Sequence, residues 1–191
     1  LYVQPNNDGR PGAPYQTHLY WAGLIAEQSR HDHSRQLNTI GIVPVFPRPL
    51  TSDGENNLYV HALTREVILQ VDDSLRRIDL QLIAMIDDVR SKLPELEIPP
   101  DALFYGFSAA ADFVTRMAVL HPERVKAVAA GGLGGFPILP LGILAGSKLT
   151  FPVGTNDMAQ LVGAPFDSVE FLQTPCLFFQ GSLDDNDSVP E

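Results

Sequence analysis

The feature that most constrains the fold of this chain is an alternation of short apolar segments with longer segments of helical periodicity. Five short segments are rich in apolar and β-branched residues, as buried strands are: residues 1–4, 39–45, 102–106, 125–130 and 176–180. Between them, helical spacing is found at residues 18–30, 72–93 and 108–121. Strands that alternate with helices form parallel sheets with right-handed crossovers. The sequence therefore predicts an α/β fold, a mostly parallel sheet flanked by helices, in which ligands bind at the carboxyl ends of the strands.

The clearest helix is predicted over residues 72–93. Its apolar residues recur every three or four positions and form one stripe: Leu75, Ile78, Leu82, Ile86, Val89 and Leu93. Two aspartates open the segment and two basic residues lie near its end, which suits the two poles of a helix dipole. Pro94 then stops the helix.

Composition indicates a globular protein of one domain, residues 1–191. Of the 191 residues, 45% are hydrophobic and 19% charged, and the formal net charge is −10. No apolar run approaches the roughly 18 residues that a membrane helix needs, so no membrane span is expected. No nucleic acid partner is expected either, because phosphate binding depends on clustered Lys and Arg. The one cysteine, Cys176, excludes an internal disulfide and is expected to be buried in its strand.

The segment richest in chemical information is the strand–turn–helix unit of residues 102–110. Gly106, Ser108 and Ala110 give the spacing Gly-X-Ser-X-small where a strand passes directly into a helix. Such a turn is too tight for side chains at its flanking positions, and it holds the serine hydroxyl above the sheet edge as a nucleophile. The backbone N–H of Ala109, at the amino end of the helix, would donate to an oxyanion. The alternative is that Ser108 only caps the helix.

This turn and two later segments resemble the α/β-hydrolase family. Residues 121–128 read His-Pro-Glu-Arg-Val-Lys-Ala-Val and resemble the family's passage from the nucleophile helix to the next strand. Residues 175–184 read Pro-Cys-Leu-Phe-Phe-Gln-Gly-Ser-Leu-Asp and, with the later Val189-Pro190, resemble the strand and loop that carry the acidic triad member. The resemblance implies an α/β-hydrolase fold with Ser108 as nucleophile and Asp184 as the acid. Asp187 is an alternative acid.

The resemblance also implies a second oxyanion donor in the loop after the first strand. That loop reads Pro-Asn-Asn-Asp-Gly in this chain. Asn6 and Asn7 stand where the family usually has His-Gly. The oxyanion hole implied by the family thus consists of Asn6, Asn7 and Ala109.

None of the five histidines fits the base of a triad. A serine hydroxyl needs a base because its own pKa is far above 7, and the family's order is serine, acid, histidine. All five precede Asp184: His18, His31, His33, His61 and His121. His121 lies about 20 Å from Ser108, at the far end of the intervening helix. We expect the chain to be the central portion of a longer domain, with strands before Leu1, and with a last strand, a helix and the catalytic histidine after Glu191.

Residues 133–173 form a long connection between two predicted strands, where the family commonly builds a cap over the serine. Its apolar part, residues 136–144, is expected to be divided between the core and the substrate pocket. A pocket of this lining favours an acyl or alcohol group of modest size.

Three other segments resemble part of a metal or cofactor site, but each is interpreted as a feature that binds no such group. The glycines of residues 131–135 lack the helix-opening third glycine of a dinucleotide fingerprint and favour a strand-end loop. Residues 31–33, His-Asp-His, favour a solvated turn over half of a metal site. The acidic run 184–187 lacks the glycine and terminal glutamate of a calcium loop.

The sequence therefore predicts a serine hydrolase that cleaves small-molecule carboxylic esters through an acyl-enzyme, without a cofactor. A peptidase or another acyl hydrolase on the same fold is an alternative, because fold and triad do not set the substrate. A non-catalytic binding protein of this fold is an alternative from a different class, which the missing histidine keeps open.

Overall fold

The computed structural model describes residues 1–50, 60–71, 74–134 and 137–184. Five strands form one parallel sheet in the order β2-β1-β3-β4-β7. They are β1 (Tyr2–Val3), β2 (Gly41–Ile42), β3 (Ala102–Phe107), β4 (Val125–Gly131) and β7 (Cys176–Phe179), and a separate antiparallel hairpin is formed by β5 (Ile143–Leu144) and β6 (Ser147–Lys148). This mostly parallel sheet with flanking helices confirms the predicted α/β architecture.

The α-helices of the described residues are α1 (Tyr15–Ser29), α2 (Arg65–Ile68), α3 (Ile78–Lys92), α4 (Ala109–Leu120), α5 (Met158–Val162) and α6 (Ser168–Phe171). Helix α1 continues as a π-helix over Arg30–Ser34, and short 3-10 turns span Val60–Ala62, Pro94–Leu96 and Pro122–Arg124. None of the helices in this part of the chain is both long enough and apolar enough to cross a bilayer.

The direction in which the chain adds strands to the sheet changes between β1 and β3, although all five strands are parallel. From β1 the chain moves outward to β2, and it then returns to place β3 and β4 on the other side of β1. Because crossovers between parallel strands are right-handed, the loops after β1 and β3 turn to opposite faces and leave a crevice at their carboxyl ends. The loop with Asn7 and the turn with Ser108 both lie at this crevice.

The main core lies on one face of the sheet, between the strands and helices α3 and α4. Its members include Val3, Phe104 and Val128 of the sheet, Ile78, Leu82 and Ile86 of α3, and Val114 and Met117 of α4. On the other face, the rings of Tyr2 and Tyr105 stack with centroids 6.5 Å apart, and His33 lies 5.2 Å from Tyr2. The sheet is thus covered on both faces near β1 and β3, as the apolar strand sequences predict.

Helix α3 begins later than its apolar spacing predicts. Residues 74–77 form a turn, and Arg77 has a left-handed φ of +49° immediately before the helix starts at Ile78. Leu75 is buried as expected, but from the turn rather than from the helix. The two aspartates that were expected at the amino end, Asp72 and Asp73, lie outside the described residues.

The burial predicted for residues 176–180 is wrong. Strand β7 pairs with β4, but it is the last strand of the described sheet, and all four of its residues are exposed. Cys176 is therefore exposed rather than packed in a core. Desolvation of the thiol nevertheless raises its pKa, which opposes its use as a thiolate nucleophile. Residues 39–45 likewise form less strand than predicted, because β2 includes only two of them.

The connection of residues 133–173 is divided between core and surface, and no more than the core part of the expectation for residues 136–144 is confirmed. Ile138 is buried in the main core, whereas Ile143 and Leu144 of the hairpin are exposed. Phe136 lies outside the described residues. Helix α6 contacts the Pro122–Arg124 turn, at the end of α4 opposite to Ser108. A cap over Ser108 formed by this connection stays a prediction.

Candidate active site

Ser108 occupies the turn between β3 and α4 in a conformation that L-residues rarely adopt. Its φ is +59° and its ψ is −133°. Such a conformation costs a non-glycine residue about 1–3 kcal/mol and persists only where its surroundings enforce it. The N–H of Ser108 donates to the carbonyl oxygen of Gly131 at 2.9 Å, and its own carbonyl accepts from the N–H of Ala111 at 2.7 Å. The residue is thereby held between the end of β4 and the first turn of α4.

The spacing around Ser108 has a steric basis. A Cβ atom at Gly106 would lie 2.0 Å from the carbonyl oxygen of Ala110, which is backbone and cannot move aside. Only glycine therefore allows β3 to approach α4 so closely. The half-buried side chain of Ser108 makes no capping hydrogen bond to α4. Ser108 therefore does not act as a side-chain cap of the helix.

Ala109 is the first residue of α4 and is buried against Ala62 of the Val60–Ala62 turn. Its N–H belongs to the first turn of the helix, whose amides have no partner within the helix. These amides also lie at the positive end of the helix dipole. The position suits hydrogen bonding to a negative oxygen beside Ser108.

The loop after β1 lies directly beside the Ser108 turn. Val3 pairs with Phe104, so β1 and β3 end at the same edge of the sheet. The side-chain amide of Asn7 donates to the carbonyl oxygen of Phe107 at 2.9 Å. Asn6, in contrast, is buried and uses its side chain within the loop, where Oδ1 accepts from the N–H of Asp8 at 2.8 Å. Nδ2 of Asn6 also donates to the carbonyl oxygen of His18 at 3.5 Å. The loop of Asn6 and Asn7 thus lies beside the Ser108 turn, and its role as an oxyanion donor stays a prediction.

Asp184 follows β7 at the same edge of the sheet. Its N–H donates to the carbonyl oxygen of Gly181 at 3.0 Å, which closes a turn just after the strand, and the residue is exposed. Strand β4 separates β7 from β3, so the two strands are roughly 10 Å apart. The alternative acid, Asp187, lies outside the described residues.

Two exposed aromatic rings lie together at the ends of β3 and β7, and one of them, Phe107, immediately precedes Ser108. Phe107 and Phe179 have ring centroids 6.4 Å apart and are 53% and 40% exposed. The glycines at the end of β4 make room for them: a Cβ atom at Gly131 would lie 2.0 Å from the ring of Phe179, and one at Gly132 would lie 2.7 Å from the ring of Phe107. The glycine run that the sequence assigns to a strand-end loop thus has a packing role beside the candidate nucleophile.

His121 lies at the far end of α4 from Ser108, as predicted. Its Nε2 is 2.8 Å from Oδ2 of Asp79, which also accepts from Arg77. Burial alone would raise the pKa of Asp79, but the hydrogen bonds from His121 and Arg77 outweigh it and lower the pKa to about 2. His121 therefore has a structural role between α3 and α4.

Residues 31–33 are solvated as the sequence favours, since His31 and Asp32 are exposed, but they are helical rather than a turn. They belong to the π-helical extension of α1, and Nδ1 of His33 lies 3.0 Å from the hydroxyl of Tyr2. His31 is near Glu27, with the imidazole and carboxylate 3.5 Å apart. No group of three potential metal-ligating side chains occurs among the residues for which coordinates are described.

The two remaining histidines, His18 and His61, lie beneath the loop after β1. They are 0% and 2% exposed, and their ring centroids are 6.2 Å apart. The imidazole of His61 faces the backbone of Asn7 and Phe46. Burial, followed by the charge of Arg48, lowers the pKa of His61 to about 4, so its ring is neutral at pH 7. No local sequence pattern reveals this arrangement, because the contacts arise only when distant segments fold together.

Comparisons of the chain with protein-family models, with curated proteins and with solved structures found no match. Its function is therefore inferred from the fold and from the geometry of the site.

Proposed function

We propose that this protein is a serine hydrolase with an α/β-hydrolase fold that cleaves carboxylic esters of modest size through an acyl-enzyme. The observation that carries the proposal is the backbone of Ser108, with φ of +59° and ψ of −133° at a strand–helix turn. A helix cap needs no such conformation, because capping residues ordinarily have φ and ψ in the β region. A strained serine held above the edge of a parallel sheet suits a nucleophile.

The proposed reaction has two steps. Oγ of Ser108 attacks the ester carbonyl carbon while its proton passes to an imidazole, and the alcohol leaves with that proton to give the acyl-enzyme. Water then attacks the acyl carbon by the same route and releases the acid. The N–H of Ala109 and the Asn7 loop stabilise the negative oxygen in both steps, a contribution of about 100- to 1,000-fold in rate for each donor.

Asp184 is proposed to orient the imidazole and to balance its charge. Its place after β7, on the same edge as Ser108, supports this assignment. Each histidine of the chain has a contact of its own. His18 accepts from the N–H of Arg48 at 3.4 Å and His61 faces Asn7, while His31, His33 and His121 contact Glu27, Tyr2 and Asp79 as described above. We therefore name the base by its chemistry, an imidazole, and assign it to no particular histidine.

The exposed rings of Phe107 and Phe179 support an apolar substrate. Exposed aromatic surface beside a nucleophile binds acyl or alkyl groups by removing them from water, at about 25 cal/mol for each Å² that is buried. The test is hydrolysis of p-nitrophenyl butyrate by the full chain. Ser108→Ala should abolish turnover, whereas Ser147→Ala, at an exposed serine of β6, should leave it unchanged. Wild-type turnover by Ser108→Ala would overturn the proposal.

A non-catalytic binding protein is the second candidate. It is favoured by one observation, that each of the five histidines is engaged in contacts of its own rather than with Ser108. A binding protein would show no turnover of p-nitrophenyl butyrate and no covalent reaction at Ser108. Preference for ester over peptide substrates separates the proposed esterase from a peptidase of the same fold.

A further inference from the structure

His61 contributes nothing to the proposed triad, yet it is buried beside the elements that carry the oxyanion donors. We propose that His61 is a positioning residue. It fixes the position of the Asn7 loop relative to Ala109, the first residue of α4, so that both can donate hydrogen bonds to an oxyanion beside Ser108. This inference rests on the proposed function.

The first support is the contact between His61 and the loop after β1. The buried imidazole faces the backbone of Asn7 and of Phe46, and its ring lies edge-on to the ring of His18 beneath the same loop, with centroids 6.2 Å apart. Asn7 in turn donates from its side chain to the carbonyl oxygen of Phe107 at 2.9 Å. The ring therefore contacts the residue that joins this loop to the Ser108 turn.

The second support is the contact between the same 3-10 turn and α4. Ala62 follows His61 in the chain and packs against Ala109, and both are almost completely buried. Nη1 of the buried Arg116 of α4 donates to the carbonyl oxygen of Ala62 at 2.9 Å. One short turn thus contacts both elements that carry the proposed donors, and it is anchored to α4 by a charged hydrogen bond.

The surroundings of His61 favour positioning over proton transfer. The charged or titratable groups identified against its ring are Arg48 and His18. His18 in turn supports the loop, because a Cβ atom at Gly9 would lie 2.4 Å from Nδ1 of His18. A ring whose pKa is lowered to about 4 takes up no proton near pH 7, so its contribution there comes from its position and its packing. A donor displaced by about 1 Å can lower the rate by about 100-fold.

The test compares two substitutions of His61 with a matched control. His61→Phe keeps a flat ring but removes the two ring nitrogens, and His61→Asn keeps a polar side chain. The control is His121→Phe, which removes a half-buried histidine at the opposite end of α4. We expect His61→Phe to lower kcat for p-nitrophenyl butyrate by about tenfold to 100-fold with little change in KM. His61→Asn should recover part of this loss, and His121→Phe should leave kcat per folded molecule unchanged.

Hydrogen exchange gives a readout that does not depend on activity. The amides of residues 6–9 should exchange faster in His61→Phe and at the wild-type rate in His121→Phe. Wild-type kcat and exchange in His61→Phe would overturn the inference, as would a loss of kcat that the folded fraction accounts for. A wild-type protein without turnover would instead overturn the proposed function, so the two failures are distinguishable.

Discussion

The side-chain amide of Asn7 donates a hydrogen bond of 2.9 Å to the carbonyl oxygen of Phe107, one hundred residues further along the chain. The bond is possible because β1 and β3 are parallel neighbours that end at the same edge of the sheet. It joins the loop after β1 to the residue before Ser108. The two sides of the crevice at the carboxyl ends of the strands are thus connected at the point where the candidate nucleophile lies.

Removal of this connection should impair catalysis more than stability. Asn7→Ala loses the bond to Phe107, and we expect kcat for p-nitrophenyl butyrate to fall by about tenfold or more, because the donors are no longer held in place. Asn6→Ala is the comparison, since Asn6 instead accepts within the loop from Asp8. The measurement is kcat together with the free energy of unfolding for each variant. An Asn7→Ala protein with wild-type kcat would show that the bond has no role in the reaction.

Gly106 should tolerate no side chain. In Gly106→Ala the new Cβ atom would lie 2.0 Å from the backbone oxygen of Ala110, so we expect a loss of about 3 kcal/mol or more in the free energy of unfolding. Gly23→Ala is the matched control, because a Cβ atom there meets nothing within 4 Å on helix α1. It should stabilise the protein by about 0.5–1 kcal/mol. Urea unfolding of the two variants measures both effects, and equal stabilities would contradict the close packing of β3 against α4.

The sequence predicts the elements of the fold well where local patterns determine them. Strands β3 and β4 and helix α4 each begin and end within a residue or two of the predicted bounds, because apolar runs and helical spacing are local signals. The spacing around Ser108 is local as well. The late start of α3 was not predicted, because the left-handed turn at Arg77 has no comparable signal.

Features that depend on distant segments could not be predicted. The apolar sequence of β7 is typical of a buried strand, but its exposure follows from its place at the edge of the described sheet. The contact of His61 with Asn7 depends on a 3-10 turn that packs against α4. The packing of Gly131 against Phe179 similarly requires β4 and β7 to be neighbours. Each of these features becomes visible only once the strand order is known.

The exposed aromatic pair should set the preference for acyl length. Phe107→Ala and Phe179→Ala each remove apolar surface beside Ser108, so kcat/KM should fall more for p-nitrophenyl hexanoate than for the acetate, by about tenfold in ratio. Tyr20→Ala removes an exposed ring of α1 whose described ring contact is with Trp21, and should leave the ratio unchanged. An unchanged ratio in both phenylalanine variants would show that substrate binds elsewhere.

The buried carboxylate of Asp79 should contribute stability that depends on pH. Its pKa is lowered from 3.8 to about 2 in the folded protein, so the unfolded chain binds its proton more tightly. The contribution, about 2 kcal/mol, is complete above the unfolded pKa and is lost as pH falls through the folded pKa.

Asp79→Asn removes this titration and tests the contribution. The variant should be less stable than the wild type near neutral pH, and the difference should shrink as pH falls from about 5 to about 2. Asp88→Asn, in an exposed pair with Lys92, should change stability by less than about 1 kcal/mol. Denaturant unfolding across this pH range is the measurement. A difference between the wild type and Asp79→Asn that is independent of pH would contradict the lowered pKa.

Covalent labelling with a fluorophosphonate tests whether Ser108 is an activated nucleophile. The full chain is labelled and its peptides are analysed by mass spectrometry. An activated serine attacks the phosphorus and keeps the adduct on Oγ. The account predicts one adduct, on Ser108, which is lost in Ser108→Ala and retained in Ser147→Ala. Absence of any adduct on Ser108, or an adduct that persists in Ser108→Ala, would contradict it.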